Sequence, residues 1–386
     1  AQRRFTLTND DFARINPNTK TCPIFRTHAD AELAKTIYDR VPILVNEETG
    51  ENPRDVKFLR MFDMSNDSHL FRTRPGAGLV PLYEAKMVHQ YDHRFGTYEG
   101  ATQAQSNKGT LPKATDKQKA DPDFELTPRY WVTVEELDQR LRHRERQWLL
   151  GFRDIARATD VRTMILSPIP RVAVGHKLPL VFLADHLRPH IAILLAANLS
   201  SLVLDYLARQ KVGGTQLSYF ILNQLPVLPP DSYGTQDASF IAARSTELIY
   251  TSWDMAPFAC DVVEDASDDL IEAIHERHTQ AHMSTGSADL SDPGAAQDHN
   301  APFAPFPWST HRRAIIRAEL DAYYARLYGL TEQELRYILD PEDVYGEDFP
   351  GETFRVLKNR DMRDFGEYRT KRLVLEAWDR LQSGEI

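Results

Sequence analysis

The segment PHIAILLAANLSSLVLDYLARQ, residues 189–210, carries the strongest helical pattern in the chain. Its apolar residues recur at the spacing of one helix face, and Gly213 and Gly214 after it are a typical helix stop. Asn198 and Asp205 interrupt the apolar run, which therefore stays below the roughly 18 residues that a membrane span needs. The apolar face consists of Ile193, Leu194, Ala197 and Leu204. The segment predicts one long helix with an apolar face.

The segments before this helix have the pattern of strands. LLGFRDIA, RTMILSPI and RVAVGHKLPLVF are short apolar runs separated by Gly and Pro turns. Residues 79–94 also alternate well enough to predict a strand. Residues 102–123, in contrast, have almost no apolar side chains, and we expect them to form a mobile surface loop.

The segments after the helix are themselves helical. Residues 312–328 and 367–381 have helical spacing, and Thr331 with Glu334 forms a capping box. We therefore predict an α+β fold. Its three units are an N-terminal strap (1–55), a mixed, mostly antiparallel domain (56–230) and a helical C-terminal domain (231–386).

The acidic net charge does not exclude a nucleic-acid partner. The 386 residues carry a net charge of −10, but residues 231–300 alone contain fourteen acidic and two basic side chains. Residues 161–230 hold six basic and two acidic side chains. Because a polyanion responds to the local field more than to the total charge, a basic surface outside the acidic block can bind DNA.

Cysteine usage and the N-terminal sequence predict a cytoplasmic protein. Cys22 and Cys260 cannot form a disulfide framework or a four-cysteine zinc site. The N-terminal residues AQRRFTLTNDD lack the apolar centre of a secretory signal.

Residues 81–98, PLYEAKMVHQYDHRFGTY, concentrate hydrogen-bond donors in the strand-like stretch. These donors are Lys86, His89, Gln90, His93 and Arg94. Lys and Arg bond to phosphate or guanine and Gln bonds to adenine, so the set suits a DNA duplex. On a strand, Lys86, Val88 and Gln90 would share one face. The alternative is a surface strand with alternating charges.

Two more groups of cations are candidates for phosphate contacts. The first group comprises Arg209, Lys211, Gly213, Gly214 and Thr215. The second comprises Arg171, Gly175 and Lys177. Cations beside glycines allow a phosphate to approach the backbone closely, and we expect the first group and residues 81–98 to flank one DNA-binding groove. A helix C-cap with dipole-favoured cations and a solvated strand turn are the respective alternatives.

Motifs of common catalytic sites are absent from this sequence. It contains no P-loop, HExxH, GxSxG or Gly-rich nucleotide turn, and no Asn-Pro-Pro-aromatic loop of the kind that holds a target amine. Glu84 and Lys86 match half of a metal-dependent nuclease pattern, with Asp63 or Asp67 as the upstream acid. A nuclease and a protein-binding scaffold are therefore the alternative functions, and we expect no catalytic residue, metal ligand or cofactor site in this chain.

Seven segments, in order from about Phe5 to Trp378, carry a resemblance to one family. They are INPNTKTCPIFRTHADAELAKTIYDRVPIL, FDMSNDSHLFRTR, PLYEAKMVHQYDHRF, IPRVAVGHKLPLVF, NLSSLVLDYLARQKVGGTQLSYFILNQLPVLPP, RAELDAYYARLYGLTEQELRYILD and FGEYRTKRLVLEAW. As a set they resemble the C-terminal part of large adenine-specific DNA methyltransferases, the type IIG-like restriction–modification and phage-defence methylases.

The resemblance implies a division of labour. In that family the N-terminal half binds S-adenosylmethionine and carries the Asn-Pro-Pro-Tyr loop, and the C-terminal half clamps duplex DNA and reads its sequence. We therefore expect this chain to be the target-recognition half, non-catalytic by itself, and its start at Ala1 agrees with that expectation. Its expected partners are double-stranded DNA and the N-terminal methyltransferase half of the same polypeptide, which would methylate a flipped adenine.

Overall fold

The computed structural model describes residues 4–108, 110–142, 144–184, 186–286, 293–349 and 353–386. Its strands are β1 (Lys57–Leu59), β2 (Leu79–Tyr83), β3 (Tyr130–Thr133), β4 (Trp148–Phe152), β5 (Leu166–Pro170), β6 (Ala173–Val174) and β7 (Leu180–Phe182). One sheet has the order β1-β7-β4-β5 and is antiparallel throughout. The other, β3-β2-β6, pairs β2 antiparallel with β3 and parallel with β6.

Helices dominate the rest of the described chain, and most of them follow β7. They are α1 (Asn9–Ile15), α2 (His28–Arg40), α3 (Gln103–Lys108), α4 (Asp116–Ala120), α5 (Val134–Leu141), α6 (Pro189–Ser200), α7 (Leu202–Arg209), α8 (Tyr219–Asn223), α9 (Thr235–Ile249), α10 (Ala256–Glu264), α11 (Asp268–Thr285), α12 (Pro293–Asp298), α13 (Thr310–Leu327), α14 (Glu332–Leu339), α15 (Glu342–Tyr345), α16 (Arg355–Phe365) and α17 (Arg369–Gln382). The predicted α+β class with a helical C-terminal region is confirmed.

Strand β4 stands between two hydrophobic cores. All five of its residues are buried, and successive side chains of a strand point to opposite faces. Trp148, Leu150 and Phe152 pack into the larger core, whereas Leu149 packs into the smaller core beneath the β3-β2-β6 sheet. The larger core also joins α6 and α7 to α9 and α13, so helices on both sides of position 230 pack together.

The predicted long helix is divided at Ser201 into α6 and α7, which are bent by 57°. The Ser201 hydroxyl accepts a hydrogen bond from the amide of Leu204 at 3.3 Å and donates one to the carbonyl of Asn198 at 2.8 Å. Serine is a strong N-cap, so it begins a second helix where the apolar pattern alone predicts continuity. No single helix among the described residues has the length and hydropathy of a membrane span, although the bent pair meets that test together.

The polar residues that interrupt this apolar run are buried and bonded. Asn198 donates to the Tyr328 hydroxyl at 2.8 Å. Asp205 accepts from the amides of Thr163 and Met164 at 2.8 and 2.6 Å. A buried polar group needs a partner, and the two bonds to Asp205 therefore hold the loop before β5 against α7.

Two local predictions are wrong. The strand predicted for residues 79–94 ends at Tyr83, because Ala85–Met87 is a 3₁₀ turn and residues 89–92 form a tight hairpin turn. Residues 102–123, expected to be a surface loop, contain α3 and α4, and Lys119 there is buried. Lys119 forms an ion pair with Asp92 at 2.5 Å, a pairing that a polar composition does not reveal.

Candidate nucleic-acid interface

The centre of the donor-rich stretch is a buried hairpin turn. The amide of His89 donates to the carbonyl of Asp92 at 2.7 Å, and the amide of Asp92 donates to the carbonyl of His89 at 2.9 Å. Tyr91 in this turn has a φ of 55°, a left-handed conformation that costs a residue with a side chain about 1–2 kcal/mol. Its carbonyl accepts from Arg313 at 2.8 Å, so α13 holds the strained turn in place.

The side chains of Gln90 and His93 are used inside the protein. Gln90 donates to the carbonyls of Met164 and Ser200 at 2.9 and 3.1 Å. The Nε2 atom of His93 lies 3.1 Å from the carboxylate of Asp254. Gln90 is 3% and His93 2% exposed, so the donors that we expected to reach DNA stabilise the fold instead.

Arg94 is also a structural residue in this fold. It is fully buried, and its terminal nitrogens donate to main-chain carbonyls at 2.8–3.1 Å. These carbonyls belong to Lys119, Asp121, Phe124 and Thr251. Burial lowers the pKa of Arg94, against the opposing effect of Asp254 and Asp92. Arg94 therefore ties the α4 region to the segment before α10 and has no open path to a base edge.

Lys86 is half-buried, and its nearest charged partner is in the same chain segment. Its Nζ atom lies 3.1 Å from Glu84, which also accepts a hydrogen bond from the Tyr98 hydroxyl. Lys86 and Glu84 thus form a local ion pair beside an aromatic ring. No group of three or more His, Cys, Asp and Glu side chains in the described ranges is arranged to hold a metal ion.

The second and third groups of expected contacts are largely paired as well. Arg209 is buried, lies 3.1 Å from Asp205 and donates to four main-chain carbonyls. Lys211 donates to the carbonyl of Ile15 at 2.6 Å, and burial holds its pKa well below the ordinary value. Gly213, Gly214 and Thr215 are exposed, whereas Arg209 is buried and Lys211 is half-buried. Arg171 lies 2.7 Å from Asp138, and Lys177 lies 3.6 Å from Asp154.

A cationic cleft opens next to the buried turn and consists of two adjoining cavities of about 580 and 270 Å³. His89 and Gln90 line both cavities, and they are the only expected contacts in the walls given by the described residues. Seven cationic and three acidic side chains line the larger cavity. The cations are Lys113, Lys119, Arg153, Arg162, Arg313, Arg317 and Arg360. They come from the α4 segment, the loop after β4, α13 and α16.

Several of these cations are held by carbonyl groups and not by carboxylates. Arg313 donates to the carbonyls of Leu248 and Tyr91 at 2.6 and 2.8 Å. Arg153 donates to a carbonyl at 2.8 Å, and Arg317 donates to one at 3.3 Å. A carbonyl orients a guanidinium group without neutralising its charge. Across the ranges that the structure describes, Arg153 and Arg317 have no carboxylate within 4 Å.

Burial is the main cause of the lowered pKa values in the cleft, whereas Asp321 and Asp205 raise the pKa of Arg162 against the effect of burial. Burial lowers the pKa of Arg317 to about 10, and the charges of Arg162 and Arg360 act in the same direction. Burial lowers the pKa of Arg153 to about 10 as well. Burial and then the charge of Arg153 hold the pKa of His89 well below its ordinary value. At neutral pH the arginines are therefore charged and the imidazole is neutral.

The linear sequence does not reveal the arginines of this cleft. They lie between positions 153 and 360 and share no motif, so nothing in the linear order groups them. Arg313 and Arg317 are one turn apart on α13, which is the one periodic signal that connects two of them. The buried side chains of α13 are distributed around much of the helix, so its apolar pattern does not single out the face that carries these two arginines.

Two comparisons with known proteins were negative. A scan against protein-family models found no match, and a search of curated proteins found no significantly similar sequence.

Proposed function

We propose that this protein is the DNA-binding, sequence-recognition half of a site-specific adenine DNA methyltransferase of a restriction–modification or phage-defence system. The resemblance of seven ordered segments suggests the family, and the cationic cleft is the structural observation that supports a DNA partner. Catalysis and S-adenosylmethionine binding would belong to the N-terminal half of the same polypeptide, and the enzyme would act in the cytoplasm.

The charge of the cleft explains how an acidic protein can bind a polyanion. Seven of the ten charged side chains around the larger cavity are cationic, although the chain as a whole carries −10. Arg153 and Arg317 have no acidic partner among the described residues, so a phosphate would not have to displace an internal carboxylate from either. Phosphate contacts of this kind supply the sequence-independent part of DNA affinity.

The proposal is tested by measuring duplex DNA binding at low salt. Fluorescence anisotropy with a labelled duplex should show binding by the unmodified protein and a reduction of about tenfold or more with Arg153→Gln combined with Arg317→Gln. Arg188→Gln is the matched control, because Arg188 is exposed and lies outside both cavity walls. Absence of duplex binding at low salt would point to a protein-binding scaffold.

The methyltransferase assignment needs the complete polypeptide. The protein extended by its native N-terminal half should methylate adenine at one DNA sequence, detected by single-molecule sequencing of host DNA. The double cleft variant should reduce methylation at that sequence, and Arg188→Gln should not. A polypeptide that binds DNA but leaves every adenine unmodified would refute the family assignment and leave the interface intact.

A further inference from the structure

We propose that the cationic cleft contains a seat for a single phosphate group, formed by the guanidinium groups of Arg162 and Arg317 with Arg360 beside them. All three side chains line both cavities, so the seat lies where the cavities meet. This inference deepens the proposed function and rests on it only for the source of the phosphate. A nucleic-acid backbone and a free nucleotide present the same chemical group.

Arg162 supplies an unpaired donor from within the protein. Its side chain is 9% exposed, and its Nη2 atom lies 3.2 Å from Asp321. Its Nη1 atom has no hydrogen-bond partner among the described residues. Folded proteins rarely leave a buried N–H group unpaired, because the group loses its water without gaining an acceptor. An anion at the junction of the cavities would provide that acceptor after a small rotation of the guanidinium group, because Nη1 has almost no accessible surface in its present position.

Arg317 supplies a second guanidinium group that the fold does not neutralise. It follows Arg313 by one helical turn on α13, and its Nε atom donates to the Arg313 carbonyl at 3.3 Å. The charges of Arg162 and Arg360 contribute to the lowered pKa of Arg317, after burial itself. Arg317 is therefore repelled by the like charges of Arg162 and Arg360, each of which is also paired with a carboxylate, Asp321 and Asp361 respectively. Binding of an anion would convert this repulsion into attraction.

The donor set favours phosphate over a carboxylate ligand. Asp321 contacts Arg162 at 3.2 Å and Asp361 contacts Arg360 at 2.9 Å, so the seat already contains carboxylates and still leaves Arg162 Nη1 unpaired. Donors that converge from a loop and from two helices require a ligand with oxygens pointing in several directions. Phosphate meets this requirement, and the planar fork of arginine pairs with it in a bidentate manner.

The neighbouring groups are compatible with a nucleotide phosphate. Gln90 and Thr310 line both cavities as uncharged groups whose own donors are engaged by Met164, Ser200 and Asp116, and His89 there is held neutral. The larger cavity, of about 580 Å³, has room for more than a phosphate group. A sugar and base attached to the seated phosphate would extend into it, beside Phe95 and Trp308.

The seat is tested with inorganic pyrophosphate as the probe, read by thermal unfolding and by isothermal titration calorimetry. Pyrophosphate should raise the unfolding temperature of the unmodified protein. Arg317→Gln should weaken pyrophosphate binding at least tenfold while leaving the protein folded, since Arg317 has no ion pair to lose in the described part of the chain. Arg188→Gln should bind as the unmodified protein does.

Arg162→Gln is the second variant, and pyrophosphate should bind it at least tenfold more weakly. Its far-ultraviolet circular dichroism must match that of the unmodified protein, because Asp321 loses its partner. Unchanged pyrophosphate binding in folded Arg317→Gln overturns the seat, and so does the absence of any pyrophosphate binding to the unmodified protein.

Two competition arms separate the sources of the phosphate. Displacement of pyrophosphate by duplex DNA supports the seat and assigns it to the nucleic-acid backbone. Displacement by deoxynucleoside 5′-monophosphates but not by duplex DNA supports the seat and assigns it to a free nucleotide. DNA binding that depends on Arg153 without any pyrophosphate site refutes the seat alone, whereas a pyrophosphate site without duplex binding refutes the proposed function alone.

Discussion

Individual arginines in this protein serve two different purposes, and their hydrogen-bond partners distinguish them. Arg94 and Arg209 are buried, and each donates to four main-chain carbonyls, so they connect distant loops. Arg153 and Arg317 contact single carbonyls and keep most of their donors for the cleft. Arginine is thus a structural residue in one place and, in our proposal, an anion-binding residue in the other.

This distinction predicts opposite effects of two substitutions. Arg94→Met should lower the free energy of unfolding by about 3 kcal/mol or more, because it leaves several buried carbonyls without a donor. Arg317→Gln should change it by less than about 1 kcal/mol but weaken DNA binding. Urea unfolding at pH 7 and anisotropy on the folded protein measure the two quantities. Equal losses of stability in both variants would contradict the distinction between structural arginines and cleft arginines.

The pKa of His89 predicts a pH dependence of stability. Its pKa in the folded protein is held well below the unfolded value, chiefly by burial and then by Arg153, so unfolding takes up a proton below about pH 6.5. The free energy of unfolding should therefore fall as pH drops from 6.5 towards 5, by up to about 1.4 kcal/mol per pH unit for this group. His278, whose pKa burial lowers to about 4, adds a fall of the same sign.

The contribution of His89 is isolated by substitution. His89→Gln should reduce the slope of the free energy of unfolding against pH between pH 6.5 and 5. The part of the slope that comes from His278 should remain. Urea unfolding at half-unit steps of pH measures both slopes. Identical slopes in the two proteins would show that the pKa of His89 is the same in the folded and unfolded states.

At the scale of secondary-structure elements, α7 and the loop before β5 form one unit. Asp205 on α7 accepts the amides of Thr163 and Met164 and pairs with Arg209, which in turn donates to the carbonyls of Asp160 and Val161. Arg162 lies within this loop. The carboxylate of one helical residue therefore orients the loop that places a cleft arginine.

Removing that carboxylate should damage both stability and binding. Asp205→Ala leaves Arg209 buried without its ion pair, and we expect a loss of about 3–5 kcal/mol in the free energy of unfolding. Urea unfolding measures this loss. The folded fraction should also bind DNA more weakly, because the loop that carries Arg162 loses its attachment. Normal DNA affinity in folded Asp205→Ala would show that the loop is positioned by other contacts.

At the scale of the whole molecule, the cationic cleft lies between the sheet-containing region and the C-terminal helices. Residues from the hairpin turn, the loop after β4, α13 and α16 line it together. Part of the acidic block is inside the protein and supports this arrangement: Glu247 pairs with Arg277 and Arg312, and Asp254 contacts His93. These two carboxylates of the block are therefore paired inside the protein and do not line the cleft.

The cleft predicts a steep salt dependence of DNA binding. Each lost phosphate contact should reduce the slope of log affinity against log salt concentration by about one unit, so Arg317→Gln should have a shallower slope than the unmodified protein. Anisotropy titrations between about 50 and 200 mM salt measure both slopes. An unchanged slope with reduced affinity would mean that Arg317 acts on the fold and not on a phosphate.

A calorimetric titration with S-adenosylmethionine tests the division between the two halves of the proposed enzyme. This chain alone should give no heat of specific binding, because it contains neither a Gly-rich cofactor turn nor an Asn-Pro-Pro-aromatic loop. The control is the polypeptide with its N-terminal half, which should bind the cofactor. Micromolar binding by this chain alone would refute the modular interpretation.

The sequence by itself determined those features of the protein that depend on residues close together in the chain. The α+β class follows from local apolar periods, and the capping box at Thr331 and Glu334 begins α14 as predicted because all its partners lie within one turn. The donor-rich character of residues 81–98 was also visible. The direction in which those donors point was not, because it depends on carbonyl groups distant in sequence.

Only the tertiary structure decided which cations are available to a ligand. Gln90 and Arg94 donate their hydrogen bonds to carbonyls more than 20 residues away in the sequence. Arg153, Arg162 and Arg317, in contrast, line one cleft although they share no sequence motif. The availability of a charge depends on what surrounds it after folding. When an arginine is buried against carbonyl groups, its N–H donors form hydrogen bonds within the protein. When several arginines converge on one cleft, they cannot bond to one another, and their donors stay available to an anion.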